Sequence, residues 1–194
     1  MALEVARCFR DRSIRIVDLG SGAGSLSLNL ARLGYRFLVG VDISSTMCRI
    51  ARFNALKTGF YSHLDFILGD VHSLPFRDGS IHCFVSTSTL HHIRKPYVLF
   101  REIMRTLDRG GSALIYEFSH DVNFKEAFRS VKILGMNPIF IPIFVRLAPM
   151  LHGIPRREFE EGWLASILRL CCKDDYELQY NGIVTLIKLK SKGI

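Results

Sequence analysis

Short apolar runs and longer amphipathic stretches alternate along the first two-thirds of the chain. The short runs are rich in β-branched residues and stop at glycine, serine or a charged residue, which predicts buried strands. They cover residues 14–20, 37–42, 64–70, 81–88 and 111–118. Strands that are apolar over most of their length are typical of a parallel sheet covered by helices on both faces.

The amphipathic stretches between these runs predict the connecting helices. Residues 25–34 and 45–59 each end in glycine, which can adopt the left-handed conformation that closes a helix. Ser44 or Ser45 can cap the second of these helices. The apolar residues that keep helical spacing in it are Met47, Ile50, Ala51 and Ala55.

Three further elements complete the predicted fold. A helix over residues 95–111 ends at a pair of glycines, and another over residues 155–172 has a proline near its start. Residues 176–190 predict an antiparallel hairpin that turns at Asn181-Gly182. The pattern therefore predicts an α/β fold, a doubly wound (Rossmann-like), mostly parallel seven-stranded sheet with a C-terminal antiparallel hairpin.

The alternation breaks in the segment 119–153. This segment is strongly apolar, but it contains Pro138, Pro142 and Pro149, which a single straight helix tolerates poorly. Its charge-free part, residues 133–145, is shorter than the roughly 20 residues that cross a bilayer, so no transmembrane helix is predicted. We expect a lid or wall beside a binding site, with an oligomer interface or a partly ordered flap as the alternative.

Composition restricts the function only weakly. The chain has 194 residues, of which 48% are hydrophobic, and this predicts one well-packed domain over residues 1–194. The net charge of +8 and the pI near 9.5 favour contact with nucleic acid, an anionic membrane surface or an acidic small molecule. Five cysteines without a CxxC pair predict neither a zinc site nor a disulfide framework, and charges near the N-terminus argue against a signal peptide, so we expect a cytoplasmic protein.

Candidate chemistry gathers where the predicted strands end. The first strand runs into VDLGSGAG, whose Gly20, Gly22 and Gly24 allow a tight turn before the next helix. This spacing lacks the third glycine of the dinucleotide fingerprint and favours a different nucleoside, although a simple strand-to-helix turn has the same pattern. Asp42 ends the second strand about 20 residues later, where a carboxylate can bind ribose hydroxyls or stabilise the start of a helix.

Four linked motifs resemble those of a known family. They read VDLGSGAG, GVDISSTM, GDVHSLPFRDGSIHCFVSTSTLHHI and REIMRTLDRGGSALIYEF. In this order they resemble the class I S-adenosylmethionine-dependent methyltransferases, in particular the ubiquinone and menaquinone biosynthesis-like branch. The resemblance spans residues 14–118 and resumes in the terminal hairpin. It implies the strand order 3-2-1-4-5-7-6, S-adenosylmethionine as the cofactor and methyl transfer as the activity.

The same resemblance implies the residues that bind the cofactor. They are Asp18, Gly20, Ser21, Gly22, Gly24, Asp42, Ile43, Met47, Asp70, Val71, Ser86 and Thr87. Asp18 and the glycine turn would face the methionine portion of the donor, the second strand end its ribose and adenine, and the fourth strand end its sulfonium. Asp70 can accept from the exocyclic amino group of adenine while the backbone of Val71 donates to a ring nitrogen.

The implied reaction is a one-step displacement in which alignment and exclusion of water supply much of the rate, so a strong catalytic side chain is not required. His91 and His92 follow the fourth strand, and either can act as a general base because imidazole titrates near neutral pH. His91 is preferred because it is closer to the strand end, and a capping or packing role is the alternative. Tyr116, Glu117 and His120 are secondary candidates for contact with the acceptor.

The sequence leaves the acceptor open. The fourth strand ends without an NPPY-like turn, and Cys83 lies inside it rather than in a Pro-Cys pair, which disfavours nucleobase methylation. We expect a small, apolar acceptor. The alternatives are methylation of RNA or protein through a basic surface, and a non-catalytic donor-binding role beside a partner enzyme. The basic surface comprises Arg7, Arg10, Arg12, Arg156 and Arg157.

Overall fold

The computed structural model describes residues 1–119, 153–173, 175–181 and 183–191. The helices are α1 (Ala2–Cys8), α2 (Ser25–Arg32), α3 (Ser45–Thr58), α4 (Pro96–Thr106), α5 (Arg156–Glu160) and α6 (Trp163–Cys172). The strands are β1 (Arg15–Leu19), β2 (Phe37–Asp42), β3 (Leu64–Leu68), β4 (Ile81–Thr87), β5 (Leu107–Phe118), β6 (Tyr176–Asn181) and β7 (Val184–Lys190). The predicted lid lies outside the described residues except for its first and last positions, and so do His120 and Gly182.

The strands form one sheet in the predicted order, β3-β2-β1-β4-β5-β7-β6. β1 to β5 are parallel, so that Val17 of β1 lies beside Val39 of β2 and Phe84 of β4. β7 runs antiparallel to both β5 and β6, which confirms the predicted hairpin strands. The chain order reverses between β1 and β4, and a doubly wound sheet opens a crevice at the carboxyl ends of the strands at such a point.

Two apolar layers cover the sheet, because successive residues of a strand point to opposite faces. Ile16 of β1 packs in the layer that contains α1, α2 and α3, whereas its neighbour Val17 packs in the layer that contains α4, α5 and α6. Phe66 and Phe100 are fully buried, one in each layer. Burial of a side chain of this kind stabilises a fold by about 1.5–3 kcal/mol, so both layers hold the strand ends in place.

The ends of α3 agree with the predicted caps, and its buried face contains two of the four predicted apolar positions, Ala51 and Ala55. Ser44 accepts a hydrogen bond from the amide of Met47 at 3.3 Å, and Gly59 closes the helix with a φ of +78°. The buried residues of α3 are Cys48, Ala51 and Ala55. Met47 and Ile50 are 38% and 39% exposed, because the small side chains face the sheet and the larger ones lie at the edge of that contact.

The helix predicted over residues 95–111 is shorter in the structure. α4 ends at Thr106, and β5 begins at the next residue, Leu107. β5 pairs with β4 through Leu107 and Ile81, after which the register of the two strands shifts. The two glycines lie at this irregularity, where Gly110 has a φ of +75°. The prediction that they end the helix was wrong, because they form an irregular part of a strand instead.

The helix predicted over residues 155–172 is two helices in the structure. Gly162 separates α5 from α6, and a Cβ atom at this position would overlap the carboxylate of Glu158. That carboxylate accepts a hydrogen bond from the amide of Trp163 at 3.2 Å. The prediction of one continuous helix was wrong, because Glu158 caps the start of a second one.

The residues before β1 form α1, a short helix that the apolar pattern did not predict. Its Val5 is fully buried in the layer that contains α2. Arg7 pairs with Glu4 at 3.2 Å, and Arg12 lies over the ring of Tyr35 and donates to its hydroxyl. Two arginines of the predicted basic surface are therefore engaged within the fold.

No helix in the described part of the chain is long and apolar enough to cross a membrane. The same residues contain no group of three or more metal-ligating side chains. The five cysteines are free thiols.

Candidate active site

A cavity of about 1230 Å³ opens at the carboxyl ends of β1, β2, β3 and β4. Ligand pockets typically measure about 300–1000 Å³, so this one has room for a nucleoside cofactor and a second small molecule. The predicted cofactor-binding residues that line it are Gly20, Ser21, Gly22, Asp42, Ile43, Met47, Asp70, Val71 and Thr87. Of the predicted catalytic pair, His92 lines the cavity and His91 does not.

The glycine turn after β1 shapes one wall of the cavity. Gly20, Gly22 and Gly24 have φ angles of +65°, +53° and +81°, in the left-handed region that residues with a Cβ atom rarely adopt. A Cβ at Gly22 would meet no atom within 4 Å, whereas one at Gly24 would lie 2.6 Å from the ring of Phe66. Gly22 therefore keeps the cavity open, and Gly24 allows α2 to start close to β3.

Asp42 joins the glycine turn to the start of α3. One of its carboxylate oxygens accepts from the amide of Gly22 and the other from the amide of Ser44, both at 2.8 Å. The bond to Ser44 agrees with the interpretation of Asp42 as a residue that stabilises a helix start. Each oxygen keeps a second lone pair, so the same carboxylate can still accept from a ribose hydroxyl.

Asp70 and His72 form the wall beyond β3. The Asp70 carboxylate accepts from the backbone amide of His72 at 2.9 Å and lies 2.6 Å from its ring Nδ1. The pKa of Asp70 is lowered mainly by that backbone hydrogen bond, so this carboxylate is ionised at neutral pH. It is therefore able to accept from a ligand amino group, beside the buried side chain of Val71.

Two buried polar atoms of the cavity residues have no hydrogen-bond partner within the described residues. They are the hydroxyl oxygen of Ser21 and the Nε2 of His72. Leaving such a group unpaired costs about 1–3 kcal/mol, which favours a ligand that can hydrogen-bond to it. These two polar atoms and the carboxylates of Asp42 and Asp70 fit the polar groups of a nucleoside, and the apolar side chains of Ile43 and Met47 fit its flat base.

Asp18 and Ser86 are buried next to the cavity but do not line it. Asp18 accepts from the hydroxyl of Ser27 in α2 at 2.6 Å, and burial raises the pKa of Asp18 to about 7. Ser86 donates to the carbonyl of Leu19 at 2.8 Å. Both side chains hold strand ends to their neighbours, and their contact with the donor stays a prediction.

The two candidate catalytic histidines have different surroundings. The Nδ1 of His91 lies 2.9 Å from one carboxylate oxygen of Glu117, and the His91 amide donates to the other at 3.2 Å. The Glu117 side chain is fully buried. The ring centroids of His91 and His92 are 3.9 Å apart, and only His92 lies on the cavity wall. The position facing a ligand thus belongs to the histidine farther from the strand end.

Tyr116 and Glu117 were predicted as acceptor contacts that follow the fifth strand. Both lie inside β5 and are buried, and neither lines the cavity. Tyr116 packs in the layer with α1, where burial raises the pKa of its hydroxyl. Glu117 instead contacts His91, so its position indicates a role that acts through the histidine.

The loop between β4 and α4 supplies much of the cavity wall that the sequence did not identify. Its additional wall residues are Ser88, Thr89, Ile93, Arg94 and Lys95. Arg94 and Lys95 form no ion pair within the described residues. Asp42 ends β2 and Asp70 follows β3, so the cavity is acidic on the side of these two strands and basic on the side of the loop before α4. The adjacent Arg-Lys pair after His92 was the available sequence signal for this basic side.

A family model described as a methyltransferase domain matches residues 17–115, which are 99 of the 194 residues. The match contains all the wall residues from the glycine turn to Val98. The chain belongs to the class I S-adenosylmethionine-dependent methyltransferases. S-adenosylmethionine is the methyl donor of this class, and the predicted family, fold and cofactor are confirmed.

Curated relatives include the ubiquinone/menaquinone biosynthesis C-methyltransferase UbiE of Pseudomonas putida, which is 30% identical over 111 residues. That match covers 56% of this chain and 43% of the relative. The protein of the same name from Hahella chejuensis is 29% identical over 110 residues, with 56% and 44% covered. This chain therefore spans less than half the length of the curated relatives that it matches.

Solved structures share the fold over nearly the whole chain. A protein from Methanococcus maripaludis assigned to the S-adenosyl-L-methionine-dependent methyltransferases has a TM-score of 0.77 and 22% identity, and the match covers 100% of this chain and 84% of that one. The [4+2]-cyclase SpnF has a TM-score of 0.63 and 20% identity, with 99% and 81% covered. Because a cyclase has the same fold, the fold alone does not decide the reaction.

Proposed function

We propose that this chain binds S-adenosylmethionine in the cavity at the carboxyl ends of β1–β4 and transfers its methyl group to a small, hydrophobic acceptor. The observation that carries the proposal is the cavity itself, which joins the glycine turn, Asp42 and Asp70 to His92 in one space. The family membership of the chain supports the same cofactor.

Asp42 and Asp70 hold the nucleoside from two sides. Asp42 offers its remaining lone pairs to the ribose hydroxyls, and the ionised Asp70 accepts from the amino group of adenine. The unpaired hydroxyl of Ser21 provides a further hydrogen bond. When bound, the cofactor supplies an electrophilic methyl group on its sulfonium. Thr87, at the end of β4, lies on the wall between the acidic and basic sides.

His92 is the general base in this proposal, and Glu117 is a positioning residue that acts through His91. The Glu117 carboxylate accepts a hydrogen bond from the Nδ1–H group of His91. This hydrogen bond fixes the tautomer and the orientation of the His91 ring. The ring of His91 in turn packs against that of His92. A well-placed base typically contributes a factor of about 10²–10⁴ to a rate, so this pair affects turnover more than donor affinity.

The acceptor that we propose is a phenol or quinol ring that is methylated on carbon. The curated relatives are named C-methyltransferases of ubiquinone and menaquinone biosynthesis. The apolar side chains of Ile93 and Val98 line the same wall as the cations Arg94 and Lys95. This wall suits a flat apolar ring that carries an ionised oxygen. His92 accepts the proton of the ring hydroxyl, which increases the electron density at the neighbouring ring carbon. That carbon would take the methyl group as the sulfur–methyl bond breaks, which leaves S-adenosylhomocysteine. It would then lose its own proton to solvent, which restores the aromatic ring.

Methyl transfer from labelled donor into fractionated cell extract tests the proposal. We expect label in the lipid or small-molecule pool, and we expect Asp42→Ala to reduce both donor binding and labelling. Label that enters only RNA or protein would overturn the small-molecule acceptor. Donor binding measured by calorimetry without label in any pool would favour the non-catalytic alternative.

A further inference from the structure

A second cavity, of about 640 Å³, opens at the opposite edge of the sheet. It lies at the amino ends of β1, β2, β3 and β4, and the first residue of each strand lines it. These residues are Arg15, Phe37, Leu64 and Ile81. The cavity shares no residue with the candidate active site at the carboxyl ends. We refer to it as the basal groove.

The basal groove exists because the connection between β3 and β4 contains no helix. This connection, residues 69–80, is described throughout and forms a loop. Parallel strands are normally covered on both faces. Here Val39, in the middle of β2, stays half-buried, and Phe37 at its start is 57% exposed. The loop thus leaves an apolar patch of the sheet open.

The charges around the basal groove are mostly positive. Arg15, Arg36 and Arg77 line it, and Asp65 is its only carboxylate within the described residues. The guanidinium of Arg15 donates to a backbone carbonyl at 2.5 Å, which fixes its position. Those of Arg36 and Arg77 are exposed and make no hydrogen bond or ion pair with a described residue. Two exposed guanidinium groups that line one groove suit a phosphate, which an arginine can bind in bidentate fashion.

Exposed aromatic rings accompany these arginines. Phe37 is 57% exposed and Tyr61 is 66% exposed, and both line the groove. The two chain segments that carry them are adjacent, since the amide of Leu38 donates to the carbonyl of His63 at 3.3 Å. Nucleobases stack on exposed aromatic side chains while arginines bind the phosphates that follow. A nucleotide accounts for both features of the groove, because its phosphate pairs with arginine and its base stacks on an exposed ring.

We propose that the basal groove binds a nucleoside phosphate, either a free nucleotide or a nucleotide within single-stranded RNA. The base stacks on Tyr61 or Phe37, and the phosphate pairs with Arg36 and Arg77. This site is independent of the proposed methyl transfer, because the two cavities lie at opposite edges of the sheet and share no residue.

Fluorescence anisotropy with a labelled oligouridine of roughly 4–16 nucleotides, the length that one single-strand-binding domain covers, tests the charged part of the site. The double variant Arg36→Glu/Arg77→Glu should bind at least about tenfold more weakly than the native chain. Arg101→Glu/Arg169→Glu changes the net charge equally at exposed positions outside the groove, and it should lose about twofold or less. Calorimetry with S-adenosylhomocysteine should give unchanged affinity in both variants, which shows that they are folded.

The stacking part is tested by Tyr61→Ala, which should weaken binding about fivefold or more without any change of charge. Tyr97→Ala, at an exposed position on α4, is the matched control and should have no effect. Competition by uridine monophosphate at concentrations equal in phosphate to the RNA would indicate a free nucleotide, whereas a requirement for a longer chain would indicate RNA. Four outcomes would each overturn the proposal. The two arginine double variants lose equal affinity, Tyr61→Ala binds the RNA as well as the native chain, the native chain does not bind the RNA, or it binds only to phosphatidylserine vesicles.

Discussion

The two sides of the candidate active site are held together by different kinds of contact. On the side of β2 and β3, backbone amides bind the key carboxylates, so that Asp42 is fixed by Gly22 and Ser44 and Asp70 by His72. On the side of β4 and β5, the main contact joins two side chains, His91 in the turn that follows β4 and Glu117 in β5. The bonds from Ser44 and His72 are local to their turns, whereas the bond from Gly22 to Asp42 and the contact between His91 and Glu117 exist only once the strands have paired.

This difference agrees with the roles proposed for the two sides. Carboxylates fixed by backbone amides have little freedom, which suits a cofactor whose ribose and adenine never vary. The basic side contains two cations and a histidine, and its wall comes from the loop between β4 and α4. Loops vary more readily than the elements that they connect, which suits an acceptor that differs among enzymes of one fold.

The largest expected effect concerns Asp18, which lies buried under the β1 end of the cavity. Burial raises the pKa of Asp18 from 3.8 to about 7, so the folded chain keeps a proton that the unfolded chain releases. The contribution of Asp18 to the free energy of unfolding should therefore be fully present below about pH 4 and be lost towards pH 7, by up to about 4 kcal/mol for a shift of this size. Asp18→Asn cannot ionise, so denaturant unfolding across this range should show a smaller decline in the variant. Parallel pH profiles for both proteins would contradict the prediction.

A large effect confined to the basic side is expected for His92→Ala. Removal of the proposed base should slow methyl transfer by about 10²-fold or more while donor affinity stays the same. Labelled transfer into the active acceptor pool measures the first quantity, and calorimetry with S-adenosylhomocysteine measures the second. His63→Ala, at the opposite edge of the sheet, is the control and should leave both unchanged. Normal turnover in His92→Ala would mean that alignment alone accounts for the rate.

Asp42→Ala should act on the acidic side alone. Loss of a charged acceptor weakens binding by about 1.5–3 kcal/mol, so the affinity for S-adenosylhomocysteine should fall by a corresponding factor. Asp65→Ala is the matched control, because that carboxylate also accepts from a backbone amide, at 2.7 Å, but lies in the basal groove. Equal affinities in the native chain and a folded Asp42→Ala variant would remove Asp42 from the donor site.

The smallest expected effect separates two glycines of one turn. Gly22→Ala and Gly24→Ala both place a side chain at a positive φ, which costs about 1–2 kcal/mol. Only the alanine at position 24 would also overlap Phe66, so that variant should lose about 1–3 kcal/mol more in the free energy of unfolding. Gly22→Ala should affect donor binding instead, because its methyl group enters the cavity. Thermal unfolding and calorimetry on both variants distinguish the two outcomes.

Secondary structure was predictable where the sequence contains its own local signals. Ser44 and Gly59 mark the ends of α3 because capping is a contact between near neighbours in the chain. The same local rules failed at two places. Gly110 and Gly111 can end a helix, but here they form an irregular part of β5. The apolar pattern merged α5 and α6 into one helix, although Glu158 binds the first amide of α6. In both places a contact outside the local pattern selected the structure.

The sequence by itself determined the sheet and, through the family resemblance, the order of its strands. It also determined the acidic side of the cavity, because motifs at strand ends place Asp42 and Asp70 at one edge of any doubly wound sheet. Only the tertiary structure decided that His92 and not His91 lines the cavity, that Glu117 holds His91, and that Asp18 is buried beside the site. Those outcomes depend on which way a side chain turns within a packed layer. The direction is set by neighbours from other strands and helices, which the order of residues along one segment does not specify.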